Sequence, residues 1–255
     1  MKILVCIKQV PDMESKFQIN GAGTSIEEAD LAFRMNEYDE FAVEEAVRLK
    51  EKVGEAELVS ISLGPDRVTE AIKKSLAMGC DRAIHIQDSE ERDPVQVAGL
   101  LQAAIKEENF DVIFTGMQSQ DLGSAQVGIL LAEMLGIESI STLVALEQDG
   151  DGFIAKRELE AGQKMVLKVK SPVLFTCQMG LNTPRYPTLP NIMKAKKKEI
   201  IKLDGASLSA PAAKVKTKSL APPAKKGQAQ FLEGDLNDMA DQLIEQLKSK
   251  TSALS

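Results

Sequence analysis

Residues 111–136 read DVIFTGMQSQDLGSAQVGILLAEMLG, and they constrain the fold more than any other stretch. Residues 112–114 are a short apolar run of the kind buried in a parallel sheet. A polar loop follows at 118–124, with Gly116 and Gly123 available for sharp turns. From Ala125 onward, Val127, Leu130, Leu131, Met134 and Leu135 recur at helical spacing, and Gly136 stands where a helix would close. A strand, a glycine loop and a helix start together aim free backbone N–H groups at one point, with the positive end of a helix dipole behind them. A phosphate placed there gains about 0.3–2 kcal/mol from the dipole alone. Ser124 and Gln126 add candidate side-chain donors. An ordinary βα turn has the same layout, so spacing by itself leaves both readings open.

The pattern upstream supports a parallel sheet. Residues 3–7 form a buried strand that Pro11 ends, and 12–34 are a polar excursion with a candidate hairpin at Asn20-Gly21. Asn36 is expected to cap a helix carrying Phe41, Val43, Ala46, Val47 and Val53. Residues 58–63 are a second strand, Gly64-Pro65 a turn, and Asp66 the expected cap of a helix closed by Gly79. Residues 83–86 are a third strand, and Asp93-Pro94 opens a helix that runs to Lys106. Strand and helix thus alternate four times, which predicts an α/β fold. After Gly136 the pattern changes to polar–apolar alternation at 141–146, 153–159 and 165–169, an antiparallel meander. Residues 173–176 are a last buried strand. Residues 203–227, rich in Ala, Ser, Lys and Pro, read as an extended arm. Asp235 then caps a final helix with Leu236, Met239, Ala240, Leu243, Ile244 and Leu247 on one stripe. The expected division is a domain at 1–202 and an arm with its helix at 203–255.

Composition narrows the function classes. The 255 residues are 44% hydrophobic, enough for a full core, and include three cysteines that form no CxxC pair. No apolar run reaches membrane-span length, and MKILVCIKQVPD has no leader pattern, so a soluble protein in a reducing compartment is expected. One histidine and no tryptophan leave little for metal binding, His catalysis or stacking a flavin. His85 lies in an apolar run and is expected to be a packed or hydrogen-bonded strand residue. The net charge of −7 hides an asymmetry. Residues 194–226 hold ten lysines against Glu199 and Asp204, about +8, while 227–255 carry −3 and 1–193 carry −12. Such a basic segment docks on something acidic. Without arginine or aromatic residues in that segment, nucleic acid is the weak option. Neither GxxxxGK[ST] nor GxGxxG after the first strand occurs, and no Ser/His/Asp or Cys/His set can be assembled. No catalytic constellation and no metal site is found, so a binding or carrier protein is expected.

The second informative stretch is LNTPRYPTLPNIMKAKKKE, residues 181–199. Pro184, Pro187 and Pro190 stiffen an exposed loop and flank Leu189. Burying one leucine in a partner is worth about 1.5–3 kcal/mol, and a stiffened loop loses less entropy on docking. The opposite reading folds Leu189 back onto its own core.

RYPTLPNIMKAKKK is very similar to the recognition loop of electron transfer flavoprotein β subunits. MNEYDEFAVEEAVRLKEK at 35–52, SLGPDRVTEAIKKSLAMGCDRAIHI at 62–86 and the QxxDxxxAQVG loop resemble that family as well, in order, from the N-terminus to about Ile201. The resemblance implies a parallel-sheet, adenine-nucleotide-binding fold like that of the nucleotide α-hydrolases. It implies a heterodimer with an α subunit that carries the redox-active FAD. That dimer takes electrons from acyl-CoA dehydrogenases or similar flavoenzymes and passes them to a membrane quinone oxidoreductase. The β subunit is then an electron carrier rather than an enzyme, and holds AMP. By position, Cys6 and Leu63 flank the adenine, Asn36 lies near the nucleotide, and Gly123, Ser124, Ala125, Gln126 and Val127 hold the phosphate. Met13 and Tyr38 face the α-bound flavin, and Glu158 helps hold the flavin domain. Leu189 is the anchor in the dehydrogenase, with Tyr186, Pro190, Ile192, Met193 and Lys194 beside it in the recognition loop at 181–198. The arm and last helix dock on α. The location implied is cytoplasmic in a bacterium, peripheral to the inner membrane at most, or the matrix of a mitochondrion.

Two alternatives stand beside this. Bifurcating members carry a second FAD in this site and oxidise NADH, and their loop reads Asp-Gly-Asp-Thr-Ala-Gln-Val-Gly-Pro. This chain shares Asp121 and residues 125–128 with it but departs at Leu122, Gly123, Ser124 and Ile129. TLPNIMKAKKK resembles the ordinary members, and Leu122 adds bulk where the bifurcating loop has glycine, so AMP is expected. The other alternative is an ATP-using enzyme of the same fold. Adenylating members place a Ser-Gly-Gly-type loop after the first strand, where this chain has Lys8-Gln9-Val10-Pro11-Asp12.

Overall fold

The computed structural model describes residues 1–224, 227 and 229–252, and divides into two compact units, Met1–Ser219 and Leu220–Ser255. In the first unit the strands and helices are β1 (Lys2–Cys6), β2 (Gln9–Pro11), β3 (Phe33–Met35), α1 (Glu37–Val53), β4 (Glu57–Gly64), α2 (Thr69–Met78), β5 (Arg82–Gln87), α3 (Pro94–Ile105), β6 (Val112–Gly116), α4 (Val127–Leu135), β7 (Glu138–Asp149), β8 (Gly152–Glu158), β9 (Lys164–Lys170), β10 (Val173–Cys177), α5 (Leu189–Ala195) and β11 (Ile200–Asp204). Among the described residues, nine strands form one sheet in the order β11-β5-β4-β1-β6-β10-β7-β8-β9. It is parallel from β11 through β7, and β7, β8 and β9 pair antiparallel as the alternation predicts.

The apolar runs explain the layering. Ile3, Leu4 and Val5 of β1 are wholly buried because both faces of a central parallel strand are covered. Ile3 and Val5 face α1 and α2, packing with Ala42, Val43, Ala46, Val47, Ile72 and Leu76. Leu4 faces the opposite layer, with Ala98 and Leu101 of α3 and Leu131 and Ala132 of α4. The inner face of the meander joins the α1 layer through Leu143, Phe153 and Ala155, and Phe153 meets Phe175 edge-on at 5.7 Å. His85 is a buried strand residue whose Nε2 lies 2.9 Å from the Gly64 carbonyl.

Several local expectations need correction. Residues 9–11 form their own short strand against Phe33–Met35, which closes the polar excursion; the hairpin inside it pairs Ile19 with Ile26. Asn36 occupies the N-cap position of α1, but its side chain is used elsewhere. Asp66 does not cap α2: a 3-10 turn at Asp66–Val68 intervenes, and its carboxylate accepts hydrogen bonds from Gln87 and Lys202. The recognition loop contains a short helix, α5, capped by Thr188.

The arm is not free along its whole length. β11 adds to the sheet beside β5, and Leu203 and Leu208 pack on the α3 layer. Asp93 explains how the chain beyond stays attached. Its Oδ1 accepts the Gln96 N–H and caps α3, while its Oδ2 accepts the N–H groups of Lys214 and Val215. Residues 203–219 therefore belong to the first unit, and the arm expected from residue 203 shortens accordingly. Lys225 and Lys226 of that arm lie outside the described residues. In the second unit, Asp235 accepts N–H bonds from Asn237 and Asp238 and starts α6 (Leu236–Lys250), none of whose residues is buried.

Candidate functional site

β1 has β4 on one side and β6 on the other, because the chain moves outward through β4 and β5 and then returns to β6. This reversal opens a crevice at the carboxyl ends of the strands, where ligands of open α/β sheets bind. Three connections line it: those after β1, after β4 and after β6.

The loop between β6 and α4 is shaped from beneath by a buried carboxylate. Asp39, in the first turn of α1, accepts the Lys8 N–H at 2.7 Å and the Gly116 N–H at 3.0 Å, tying the ends of β1 and β6 together. Burial pushes its pKa up to about 7, against the lowering effect of its hydrogen bonds from Lys8, Asn36 and Gly116. A Cβ at Gly116 would sit 2.2 Å from an Asp39 oxygen, so only glycine fits there. Asn36 reaches across to the same loop, donating from Nδ2 to the Gln118 carbonyl at 2.9 Å and accepting the Gln120 N–H at 3.0 Å. Gln120 Nε2 returns to Glu37 at 2.8 Å, and Gln118 Nε2 donates to the Tyr38 hydroxyl. The Lys8 ammonium spans the crevice mouth to Asp121 at 2.7 Å. Burial works to raise the Asp121 pKa, but the Lys8 charge and hydrogen bond with Ser119 and Leu122 hold it below the usual range.

Beyond Asp121 the backbone turns left-handed twice, at Gly123 (φ 61°) and at Ala125 (φ 53°). The second is costly for an L residue, about 1–2 kcal/mol, and it delays α4 to Val127 rather than Ala125. Gly128 brings the helix start onto the strand ends, where a Cβ would meet Thr115 and Thr176 within 3 Å. α4 has no side-chain cap and no acid in its first turn. α3 and α6, by contrast, begin at aspartates that accept their first N–H groups. The N–H groups opening α4 thus face the crevice with no competing anion of their own, which suits a phosphate.

Cys6 and Leu63 end neighbouring strands and pack on the α3–α4 side, giving the crevice an apolar wall. Burial, with Asp39 as the next cause, raises the Cys6 thiol well above its ordinary range, so it is a packing group rather than a nucleophile. Cys6, Asn36, Leu63, Tyr38 and residues 123–127 are therefore gathered at one edge. Met13 is 47% exposed in the polar excursion. Glu158, at the end of β8, lies four strands from β1, roughly 19 Å at 4.8 Å per strand; its carboxylate accepts from Gln178. In the recognition segment Tyr186 is 94% and Leu189 79% exposed, with Ile192, Met193, Pro190 and Lys194 also exposed. Lys198 is different: it donates to the carbonyls of Leu76 and Cys80 at the end of α2.

The comparisons now bear on this geometry. The family described as "Electron transfer flavoprotein domain" matches residues 23–208. A protein of Bradyrhizobium diazoefficiens named electron transfer flavoprotein subunit beta is 42% identical over 200 residues, covering 78% of this chain and 80% of its own. The chain belongs to the electron transfer flavoprotein β-subunit family. A Bacillus subtilis protein of the same name is 36% identical over the whole of both chains, and a Homo sapiens one 37% identical over 78% of this chain and 80% of its own. Within this β-subunit family member, sequence reading missed Asp39 and the Lys8–Asp121 pair. Asp39 was hidden among Glu37 and Glu40 in an acidic helix start. Among the described residues no helix is long and apolar enough to cross a membrane, and no group of His, Cys, Asp and Glu is placed to hold a metal.

Proposed function

We propose that this chain is the β subunit of a heterodimeric electron transfer flavoprotein. It carries electrons from acyl-CoA dehydrogenases, or related flavoenzymes, through FAD on an α subunit to a membrane quinone oxidoreductase. The observation that carries the reading is the named β-subunit relatives, matched along the full chain or four-fifths of it. The α-bound FAD supplies the one-electron chemistry; this chain contributes binding surfaces. Leu189 and its exposed neighbours meet the dehydrogenase, and the Lys194, Lys196 and Lys197 charges steer the encounter. The second unit, with the apolar stripe of α6, packs on α.

The crevice holds AMP. Its phosphate accepts the N–H groups opening α4 and those of the left-handed turns at Gly123 and Ala125, and its adenine rests against Cys6 and Leu63. The bifurcating reading, with a second FAD in this crevice and oxidation of NADH, draws on the shared Asp121 and residues 125–128. Leu122 is 69% exposed, so its bulk does not narrow the crevice. The choice of AMP rests instead on the recognition segment, TLPNIMKAKKK. Acid extraction and chromatography of the purified αβ complex tests it: one FAD and one AMP per heterodimer are expected. Two FAD without AMP, together with flavin reduction by NADH, would overturn it.

A further inference from the structure

The recognition segment leaves β10 and crosses α1 before it exposes its apolar residues, and the crossing is made by one side chain. Glu44, on α1, is 5% exposed. Its Oε2 accepts both the Arg185 main-chain N–H at 3.1 Å and Nε at 2.9 Å, and its Oε1 accepts Nη2 at 3.1 Å. Glu51, two turns along the same helix, accepts Nη1 at 2.6 Å and Nη2 at 3.0 Å. Asn182 adds a neutral tie, donating to the Phe41 carbonyl and to Glu45. At the other end of the segment, Ala195 is buried and Lys198 is fixed on the end of α2. Tyr186 and Leu189 stand between these two roots with most of their surface in water. Prolines restrict the backbone of such a span but do not locate it on the body.

We propose that Arg185, clamped on Glu44 and Glu51, is a positioning residue that fixes the apolar tip of the recognition segment and so sets affinity for the electron-donating dehydrogenase. This rests on the reading of residues 181–198 as the partner-recognition loop. The planar guanidinium meets two carboxylates at once while the main-chain N–H of the same residue is held, so backbone and side chain are fixed together. A lysine offers a point charge and cannot reproduce the fork. With the clamp intact the tip is ordered before the partner arrives, and less entropy is lost on binding.

The experiment uses the αβ complex with wild type, Arg185→Lys and Arg185→Ala, each also combined with Leu189→Ala. Hydrogen exchange across residues 186–193 is followed without any partner, and reduction by a purified FAD-loaded acyl-CoA dehydrogenase is followed across complex concentrations. Loss of the clamp should speed exchange at 186–193 and raise KM for the complex roughly three- to tenfold, with kcat and the flavin spectrum unchanged. Leu189→Ala should then cost less in the Arg185→Ala background than in wild type. Unchanged exchange at 186–193, or penalties that multiply independently, would overturn the proposal. Arg185→Lys keeps the charge and decides the point should the alanine variant fold poorly. A wild-type complex that the dehydrogenase cannot reduce would overturn the recognition reading instead, and the exchange data would still decide the clamp.

Discussion

The loop after β6 and the segment after β10 start side by side, since Gly116 and Cys177 are partners in adjacent strands. One turns inward and the other outward. The β6 loop is tied by groups that are themselves buried, Asn36, Tyr38 and Asp39, and it ends in a helix packed on the sheet. The β10 segment is tied only at its roots and displays its apolar residues. The difference lies in where the anchoring polar groups sit. Buried anchors make a loop part of the fold, so that disturbing them costs stability; surface anchors leave a segment that can change without unfolding anything.

The largest expected effect is Asp39→Ala, which leaves the Lys8 and Gly116 N–H groups without their acceptor and should cost about 2–5 kcal/mol in denaturant unfolding. A loss near zero would break the contrast. The same residue predicts a pH dependence. Its folded pKa, about 7, is raised from the ordinary 3.8 by burial, so its contribution to stability is complete below about 4 and is lost as pH rises through 7. The loss is on the order of 4 kcal/mol at most, and Asp39→Asn should flatten that part of the stability curve between pH 4 and 8.

On the outward side, Leu189→Ala should change stability by less than about 0.5 kcal/mol while slowing reduction by the dehydrogenase, and added salt should not mimic the defect. Glutamine at Lys194, Lys196 and Lys197 should instead give a salt-dependent rate loss. Lys198→Gln belongs with the inward group and should lower stability, since Lys198 closes α2. The smallest effect expected is at Ala125, exposed at φ 53°. Glycine there should raise stability by up to about 1 kcal/mol, as relief of the left-handed strain outweighs the looser unfolded chain. A clear loss would mean that the methyl group packs against something.

The strands and most helix limits were legible because periodicity and capping are local: Asp93-Pro94, Gly79, Gly136 and Asp235 all punctuate as read. The glycine loop was legible for the same reason. What escaped was carried by distant partners. Asp39 finds Gly116 77 residues away and Lys8 finds Asp121 113 residues away, and a charge does not announce its mate. Asn36 looked like a cap because it precedes a helix, yet its amide had a better use in a loop that the sheet brings to it. β11 escaped because IIKLD is short and its partner β5 lies beyond α3, β6 and the meander in the chain.

Both loops rest on α1, the phosphate loop on Asn36 to Asp39 and the outward segment on Phe41 to Glu51. α1 is therefore a ruler shared by two otherwise separate sites, about 22 Å long from Asn36 to Glu51 at 1.5 Å per residue. Its substitutions are independent, but its length is not. One residue inserted between Asp39 and Glu44 would turn the far anchors by about 100° relative to the near ones. Side chains along this helix can drift with partner or nucleotide, while the spacing between its two ends is fixed by both at once.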